Sequence, residues 1–271
     1  MRASLSSPRR LGATLLASVT RAALPLLLAA GVARAQDVFE IQVYEYATVP
    51  AGFWSLETHL NYTARGSTAP GPTYPSHGQT HLTFELTRGL TDHVELAGYL
   101  VLAQRQGAGP EVVGYRIRPR VRVPESWNWP VDVGFSVEVG FPDPKYEENS
   151  MTLEVRPILE KKFGRWQLDV NPVVGKALRG PGVNDGWDFE PNARVGWEAT
   201  PMFDVSLEYY GSTGDVGHWL PGERQVHQLY PGFDWQITPS MVMNFGVGLP
   251  LTNAGDGSII KMRVGVMFGG E

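Results

Sequence analysis

The chain has 271 residues, with 28 acidic side chains, 23 basic side chains and no cysteine. The missing cysteine excludes disulfides, thiolate metal ligands and thiol catalysis, and the excess of acids argues against nucleic acid as a partner. The 31 Gly, 21 Pro and 11% aromatic residues, with no apolar run of helix-spanning length, indicate many strands and turns. Such a composition is typical of a soluble β-sandwich or a membrane β-barrel.

Residues 1–35 have the pattern of a secretory signal peptide. A leader with Arg2, Arg9 and Arg10 precedes an apolar run over residues 22–32 and an A-x-A cleavage site at residues 33–35. The run is shorter than the roughly 20 apolar residues that a spanning helix needs. Cleavage would remove five arginines and no acid, leaving 18 basic and 28 acidic side chains and a net charge of −10.

Residues 36–51 contain a short alternating piece, FEIQVY, and end near Pro50. We do not count this segment as a barrel strand, because the strands that follow already total twelve and bacterial single-chain barrels use even numbers. Two interpretations stay open: a periplasmic lead-in, or a piece tucked into the lumen of the barrel.

The hairpin over residues 79–104 carries the clearest strand signal. In each arm apolar residues alternate with polar ones, which is period two on both sides of a short turn at residues 88–92. In that turn Gly89 is expected to supply a positive φ, and Asp92 to hydrogen-bond its own backbone. Arms of about ten residues suit a tilted strand that crosses a bilayer, with its apolar face toward lipid and its polar face toward water.

The same pattern predicts a twelve-stranded antiparallel transmembrane β-barrel over residues 52–271. The predicted strands are 52–63, 79–87, 93–104, 111–123, 130–141, 151–163, 165–176, 188–199, 203–211, 225–236, 241–249 and 258–268. Four prolines, at positions 119, 157, 172 and 191, fall within these strands, and we expect β-bulges or local twists there.

The connections alternate between long and short along the chain, with only the turn at 124–129 blurring the pattern, and this predicts short periplasmic turns and longer extracellular loops. Six tryptophans fall at strand ends beside the short turns or near the N-terminus, where an aromatic girdle at the membrane interface belongs. They are Trp54, Trp127, Trp129, Trp166, Trp197 and Trp235.

One strand carries four arginines on a single face, about 7 Å apart. At an effective dielectric of about 20, each neighbouring pair would repel by roughly 2 kcal/mol, so we expect inward acids beside them. The predicted lumen charge network is Arg116, Arg118, Arg120, Arg122, Glu95, Asp132, Glu138, Glu154 and Arg156. It is either a cationic stripe that orients a polar solute, or a set of structural ion pairs that fills a narrow barrel.

Signals for catalysis or metal binding are weak. The six histidines are scattered, there is no HExxH motif and no ordered calcium loop, and no Ser–His pair falls on the outward face of a predicted strand. We therefore predict no catalytic residue, no metal site and no cofactor.

Three hairpins carry a family resemblance: RGLTDHVEL at 88–96, EATPMFDV at 198–205 and QITPSMV at 236–242. They resemble the periplasmic hairpins of the outer-membrane barrels associated with meta-pathway phenol degradation. The resemblance implies a channel for small organic substrates. Barrels of this kind usually end on an aromatic residue that the barrel-assembly machinery reads, whereas here Phe268 is followed by three more residues.

The sequence thus predicts a barrel in the outer membrane of a Gram-negative cell, acting as a passive channel or facilitator for small polar or aromatic solutes and not as an enzyme. The expected partners are outer-membrane lipid, a small-molecule solute and the barrel-assembly machinery. Two alternatives remain: an embedded lipid-modifying enzyme, and a structural or adhesive barrel whose long loops bind something outside.

Overall fold

The computed structural model describes residues 37–270, so the predicted signal peptide lies outside the described residues. This part of the chain forms twelve main strands. They are β1 (Phe53–Arg65), β2 (Thr80–Thr91), β3 (Val94–Gln104), β4 (Pro110–Arg122), β5 (Asp132–Pro142), β6 (Met151–Phe163), β7 (Trp166–Arg179), β8 (Asp188–Thr200), β9 (Phe203–Ser212), β10 (Val226–Thr238), β11 (Met241–Val247, continued by Leu249–Pro250) and β12 (Ser258–Gly269).

The connections contain only small elements. Two-residue strands at Gly214–Asp215 and His218–Trp219 pair with each other between β9 and β10. Short 3-10 helices lie at Glu125–Trp127, Pro181–Asn184 and Gly222–Arg224. Across residues 37–270, no helix combines the length and the apolarity that a membrane crossing requires.

The twelve strands close into one ring. Each strand pairs antiparallel with the next in the chain, and β12 pairs with β1 over the register from Phe53–Gly269 to Arg65–Ser258. Closure leaves no strand edge unpaired, which is the condition for a sheet to cross a bilayer. The predicted twelve-stranded antiparallel barrel is confirmed.

Alternation along the strands sorts side chains to the two faces of the wall. In the β2–β3 hairpin His81, Thr83 and Glu85 are buried in the lumen, whereas Leu86 and Leu96 are 43% and 39% exposed on the outside. The other strands repeat this arrangement, so the exterior is a largely apolar band suited to lipid.

The two rims of the barrel differ in their connections. One rim, here called the turn rim, carries connections 92–93, 123–131, 164–165, 201–202 and 239–240. The other, the loop rim, carries 66–79, 105–109, 143–150, 180–187, 213–225 and 251–257. The six tryptophans predicted to form a girdle lie at or near the turn rim, 36–59% exposed. The assignment of the turn rim to the periplasm stays a prediction.

Gly89 has a different role from the predicted one. It is not among the residues with positive φ, and it sits within β2 opposite Glu95, beside a register shift between Gly89 and Thr91. A Cβ at this position would lie 2.0 Å from the Pro50 carbonyl oxygen and 2.4 Å from that of Val49. Glycine is therefore needed because the chain preceding β1 passes directly against β2 here.

The prolines do not create the expected bulges. The register shifts lie elsewhere, at the ends of strands or between Val101 and Leu102 on β3. On β6 and β7 the pairs Val155–Val174 and Leu159–Val170 flank an unpaired stretch in which Pro157 and Pro172 face each other. Two residues that lack an N–H donor thus share one gap in the ladder, and the register continues unchanged.

Residues 38–49, here called the lumen segment, lie inside the barrel, belong to no strand or helix, and precede β1. Its main chain is held by inward side chains of six strands. Four wall side chains donate to its carbonyl groups: Asn61 to residue 38, Lys261 to residue 41, Arg156 to residue 42, and Arg120 to residues 45 and 47. In the other direction, three of its N–H groups donate to wall side chains: residue 44 to Asn171, residue 46 to Glu160, and residue 49 to Glu95.

The charged lumen as the candidate functional site

The arginines of β4 all point into the lumen, and each lies beside an acid. Arg116 Nη1 lies 3.1 Å from Glu138 Oε1 on β5 and also contacts Asp37, next to the lumen segment. Arg118 is ion-paired with Glu85 on β2. These contacts offset the repulsion expected along the arginine row.

The other two arginines of the row meet different surroundings. Arg120 Nη1 is 3.5 Å from Glu95 Oε1 on β3, which also lies 3.5 Å from Arg118 Nη2. Arg122, at the turn rim, pairs instead with Glu125, an exposed residue beyond the end of the strand. The row therefore passes from a buried network to the water-facing rim.

Two more predicted members lie on β6, where Arg156 Nε is 2.8 Å from Glu154 Oε1. Asp132 does not join the arginines. It lies opposite Glu160 in the β5–β6 register, and it forms no ion pair with any residue of the described chain.

Tyr44 of the lumen segment sits at the centre of this network. The guanidinium carbons of Arg156, Arg118 and Arg120 lie 4.1, 4.7 and 5.3 Å from its ring centroid. Its hydroxyl donates to Glu40 Oε1 at 2.5 Å. Cation–π contacts of this kind are strongest where water is excluded, as in this buried centre.

A second charged cluster lies across the lumen, on β7, β8, β9, β10 and β12. Arg194 is 3.3 Å from Asp169 and 2.7 Å from Asp234. Lys261 Nζ lies 2.5 Å from Glu208 Oε2 and donates to the Ile41 carbonyl at 3.2 Å. Arg263, two residues beyond Lys261, pairs with Glu57 on β1 at 2.8 Å.

The predicted network omitted this cluster and the lumen segment. A signal for the cluster was present, since Lys261 and Arg263 share one face of the last predicted strand. For the lumen segment the available signal was the set of acids at positions 37, 40 and 45, close to an alternating apolar stretch.

Two small cavities lie between the lumen segment and the wall. One measures about 60 Å³ and is lined by residues that include Tyr44, Glu57, Glu85, Glu95 and Arg118. The second, beside Arg194 and Lys261, is about 10 Å³. Since a cavity needs about 10–15 Å³ to hold one water molecule, the first has room for water, the second for one water at most, and neither for an organic solute.

At the loop rim, polar and aromatic contacts join three connections. Arg105 lies over the Tyr74 ring, 3.9 Å from its centroid, and 3.3 Å from the Tyr146 hydroxyl. That hydroxyl donates to Glu111 at 2.5 Å. Burial, together with this hydrogen bond, raises the pKa of Tyr146 to about 12, so the phenol stays protonated as a donor at neutral pH.

No protein-family model matches the chain. No curated protein matches it either. Among solved structures it is similar to an outer membrane channel from Pseudomonas putida F1, with a TM-score of 0.56 and 12% identity over 84% of this chain and 100% of that one. The NanC porin gives a TM-score of 0.53 with 8% identity over 80% and 100% of the two chains, and the KdgM porin 0.51 with 10% over 80% and 99%.

Identities this low show a shared fold and nothing finer. The likeness covers nearly all of each of these barrels and most of this chain. A closed twelve-stranded barrel of this fold with an apolar exterior belongs in an outer membrane, in agreement with the predicted location.

Proposed function

We propose that the protein is an outer-membrane channel for small solutes, closed by the lumen segment in the state described and open when that segment leaves. The observation that carries the proposal is how the segment is held. Its main chain bonds to side chains of the wall rather than to a strand ladder. Bonds of this kind contribute about 0.5–1.5 kcal/mol each, because water replaces them when they break.

The lining of the lumen favours polar or aromatic solutes. Once the segment is displaced, the ion pairs around β4 would face those of β9 and β10 across open water, giving a polar molecule charged partners on both sides. Tyr99 would add an aromatic surface at the arginine side. The resemblance of the turn-rim hairpins to phenol-degradation barrels points to small aromatic compounds as one such class.

A reversible lock tests the proposal. Because the chain has no cysteine, a Val38→Cys, Asn61→Cys pair introduces the only two thiols, where Asn61 Nδ2 donates to the Val38 carbonyl at 2.8 Å, and thiol titration would verify that oxidation joins them. With residue 51 leading directly into β1, this bond would fix both ends of the segment. We expect the reduced form to conduct in planar bilayers and the oxidised form to be silent, with each single-cysteine variant as a control that does not respond to reductant.

Silence of the reduced variant and of the wild type alike would contradict a channel. It would favour a structural or adhesive barrel, which the filled lumen with its cavity of about 60 Å³ also supports. Single-channel current recordings therefore distinguish a channel from a structural or adhesive barrel.

A lipid-modifying enzyme has less support. An outward-facing pair does exist, in which the Tyr209 hydroxyl lies 2.6 Å from His227 Nδ1 near the loop rim. However, His227 Nε2 is also occupied, at 3.0 Å from Gln225 Oε1. This contact makes Nε2 the donor, so Nδ1 accepts from the Tyr209 hydroxyl, and the enzyme alternative rests on this Tyr–His pair alone.

A further inference from the structure

We propose that Glu40, His59 and Glu85 form a binding site for a divalent transition-metal ion of the Zn²⁺ type, which ties the lumen segment to the barrel wall. The three side chains come from the lumen segment, β1 and β2. One ligand atom from each lies within 4.8 Å of the other two, and all three residues are buried. The inference rests on this geometry and not on the channel role proposed above.

The first support is an imidazole nitrogen with no partner. His59 is 1% exposed, and within residues 37–270 its Nε2 makes no hydrogen bond. It faces Glu85 Oε2 at 3.8 Å and Glu57 Oε2 at 3.9 Å, which is too far for a hydrogen bond. A tetrahedral site with ligands at about 2.1 Å has edges of roughly 3.4 Å, so a shift of a few tenths of an ångström would bring His59 and Glu85 onto one ion.

The second support is the hydrogen bonding of the Glu40 and Glu85 carboxylates. Glu40 Oε1 accepts from the Tyr44 hydroxyl, and Glu85 Oε1 accepts from Arg118 and from the Thr87 hydroxyl at 2.8 Å. In each case one oxygen is oriented by neighbours, and Glu85 Oε2 is left facing His59 Nε2 at 3.8 Å. Outer hydrogen bonds of this kind fix metal ligands in place.

The local charge also suits a dication. Two buried carboxylates lie beside the His59 imidazole, and a dication between them would add to the neutralisation that Arg118 gives Glu85. Arg116 Nη1 lies 3.7 Å from Glu40 Oε2, but Asp37 and Glu138 are nearer to it. Arg116 can therefore stay paired when Glu40 turns to an ion.

The donor set selects the class of ion. One nitrogen and two carboxylate ligands suit Zn²⁺ and its first-row neighbours, whereas Ca²⁺ and Mg²⁺ prefer oxygen alone. The cavity of about 60 Å³ borders Glu85, so water can reach this ligand.

Metal content and affinity of the full chain in detergent micelles test the site. We expect one Zn²⁺ per chain after dialysis, and weaker binding of Ca²⁺ by calorimetry. His59→Ala and Glu40→Gln should each weaken Zn²⁺ binding by at least ~10-fold. His81→Ala is the matched control: His81 is equally buried on β2, but its Nε2 lies 2.9 Å from Gln79 Oε1 and it is not part of the cluster.

Amide hydrogen exchange tests whether the bound ion holds the lumen segment against the barrel wall. Zn²⁺ should slow amide exchange over residues 39–46 in the wild type and in His81→Ala, but not in Glu40→Gln. If His59→Ala does not fold, the test rests on Glu40→Gln, because Glu40 lies outside the strands and its replacement leaves the strand pairing intact. Wild-type affinity in Glu40→Gln, or Zn²⁺ binding by the wild type no tighter than by His59→Ala, would overturn the site. None of these measurements depends on ion conduction, so failure of the metal site can be distinguished from failure of the channel proposal.

Discussion

Tyr44 and Asn171 are joined by two hydrogen bonds. The Tyr44 N–H donates to Asn171 Oδ1 at 2.6 Å, and Asn171 Nδ2 donates to the Tyr44 carbonyl at 3.1 Å. Asn171 is fully buried on β7. Its side-chain amide bonds the N–H and the carbonyl of Tyr44, as the main chain of a neighbouring strand would do. The lumen segment is thus anchored at its middle by one side chain.

Replacing Asn171 with Ala should therefore loosen the lumen segment. The loss of two bonds of about 0.5–1.5 kcal/mol each should lower the free energy of releasing the segment by roughly 1–3 kcal/mol. Amide exchange at Tyr44 would measure the change, with Asn192→Ala, directly opposite on β8, as control. Equal exchange rates in the two variants would show that the anchor lies elsewhere.

Arg118→Met should destabilise the barrel more than any rim substitution. Arg118 is 4% exposed, and without it Glu85 and Glu95 lose a buried cation. Removing one member of a buried ion pair costs about 3–5 kcal/mol, whereas Arg122→Met, beside the exposed Glu125, should cost at most about 1 kcal/mol. Urea unfolding in lipid vesicles would compare the two variants, and similar losses for both would contradict a buried network.

The strand faces were predictable because period two is a local property of the sequence. His81, Glu85 and Glu95 are inward, and Leu96 and Leu100 outward, as the alternation indicates. Which residues meet across the lumen is not local. Arg118 reaches Glu85 two strands away because Ala97, its neighbour on β3, is too small to block the path.

Two further features depend on contacts that no local pattern encodes. Gly89 is glycine because of the chain at Pro50, which is distant in sequence, and not because of its own turn. His59, one of six scattered histidines, gains its significance only when the lumen segment brings Glu40 beside it. The wall was therefore predictable in outline, while the contents of the lumen depended on how residues 38–49 thread it.

The apolar exterior predicts a depth-dependent penalty for charge. Leu100 lies near the middle of β3 and faces outward, so Leu100→Arg should cost about 2–4 kcal/mol in a bilayer. Leu90→Arg, at the turn rim, should cost at most about 1 kcal/mol. Urea titration of folding into short-chain lipid vesicles, followed by tryptophan fluorescence, would give both values. Equal costs would argue that the exterior band does not contact hydrocarbon at the depth of Leu100.

Gly89 and Gly98 offer a matched pair within one hairpin. A Cβ at Gly89 would collide with the carbonyls of Val49 and Pro50, whereas a Cβ at Gly98 meets nothing within 4 Å. Gly89→Ala should therefore cost roughly 1–3 kcal/mol of stability, as overpacking does, and should displace the chain where it enters β1. Gly98→Ala should be within about 0.5 kcal/mol of the wild type. Thermal unfolding would measure the stabilities, and amide exchange at residues 49–53 would report the displacement. If exchange there is unchanged in Gly89→Ala while stability falls, the strain is absorbed by β2, and the approach of Pro50 to Gly89 does not position the lumen segment.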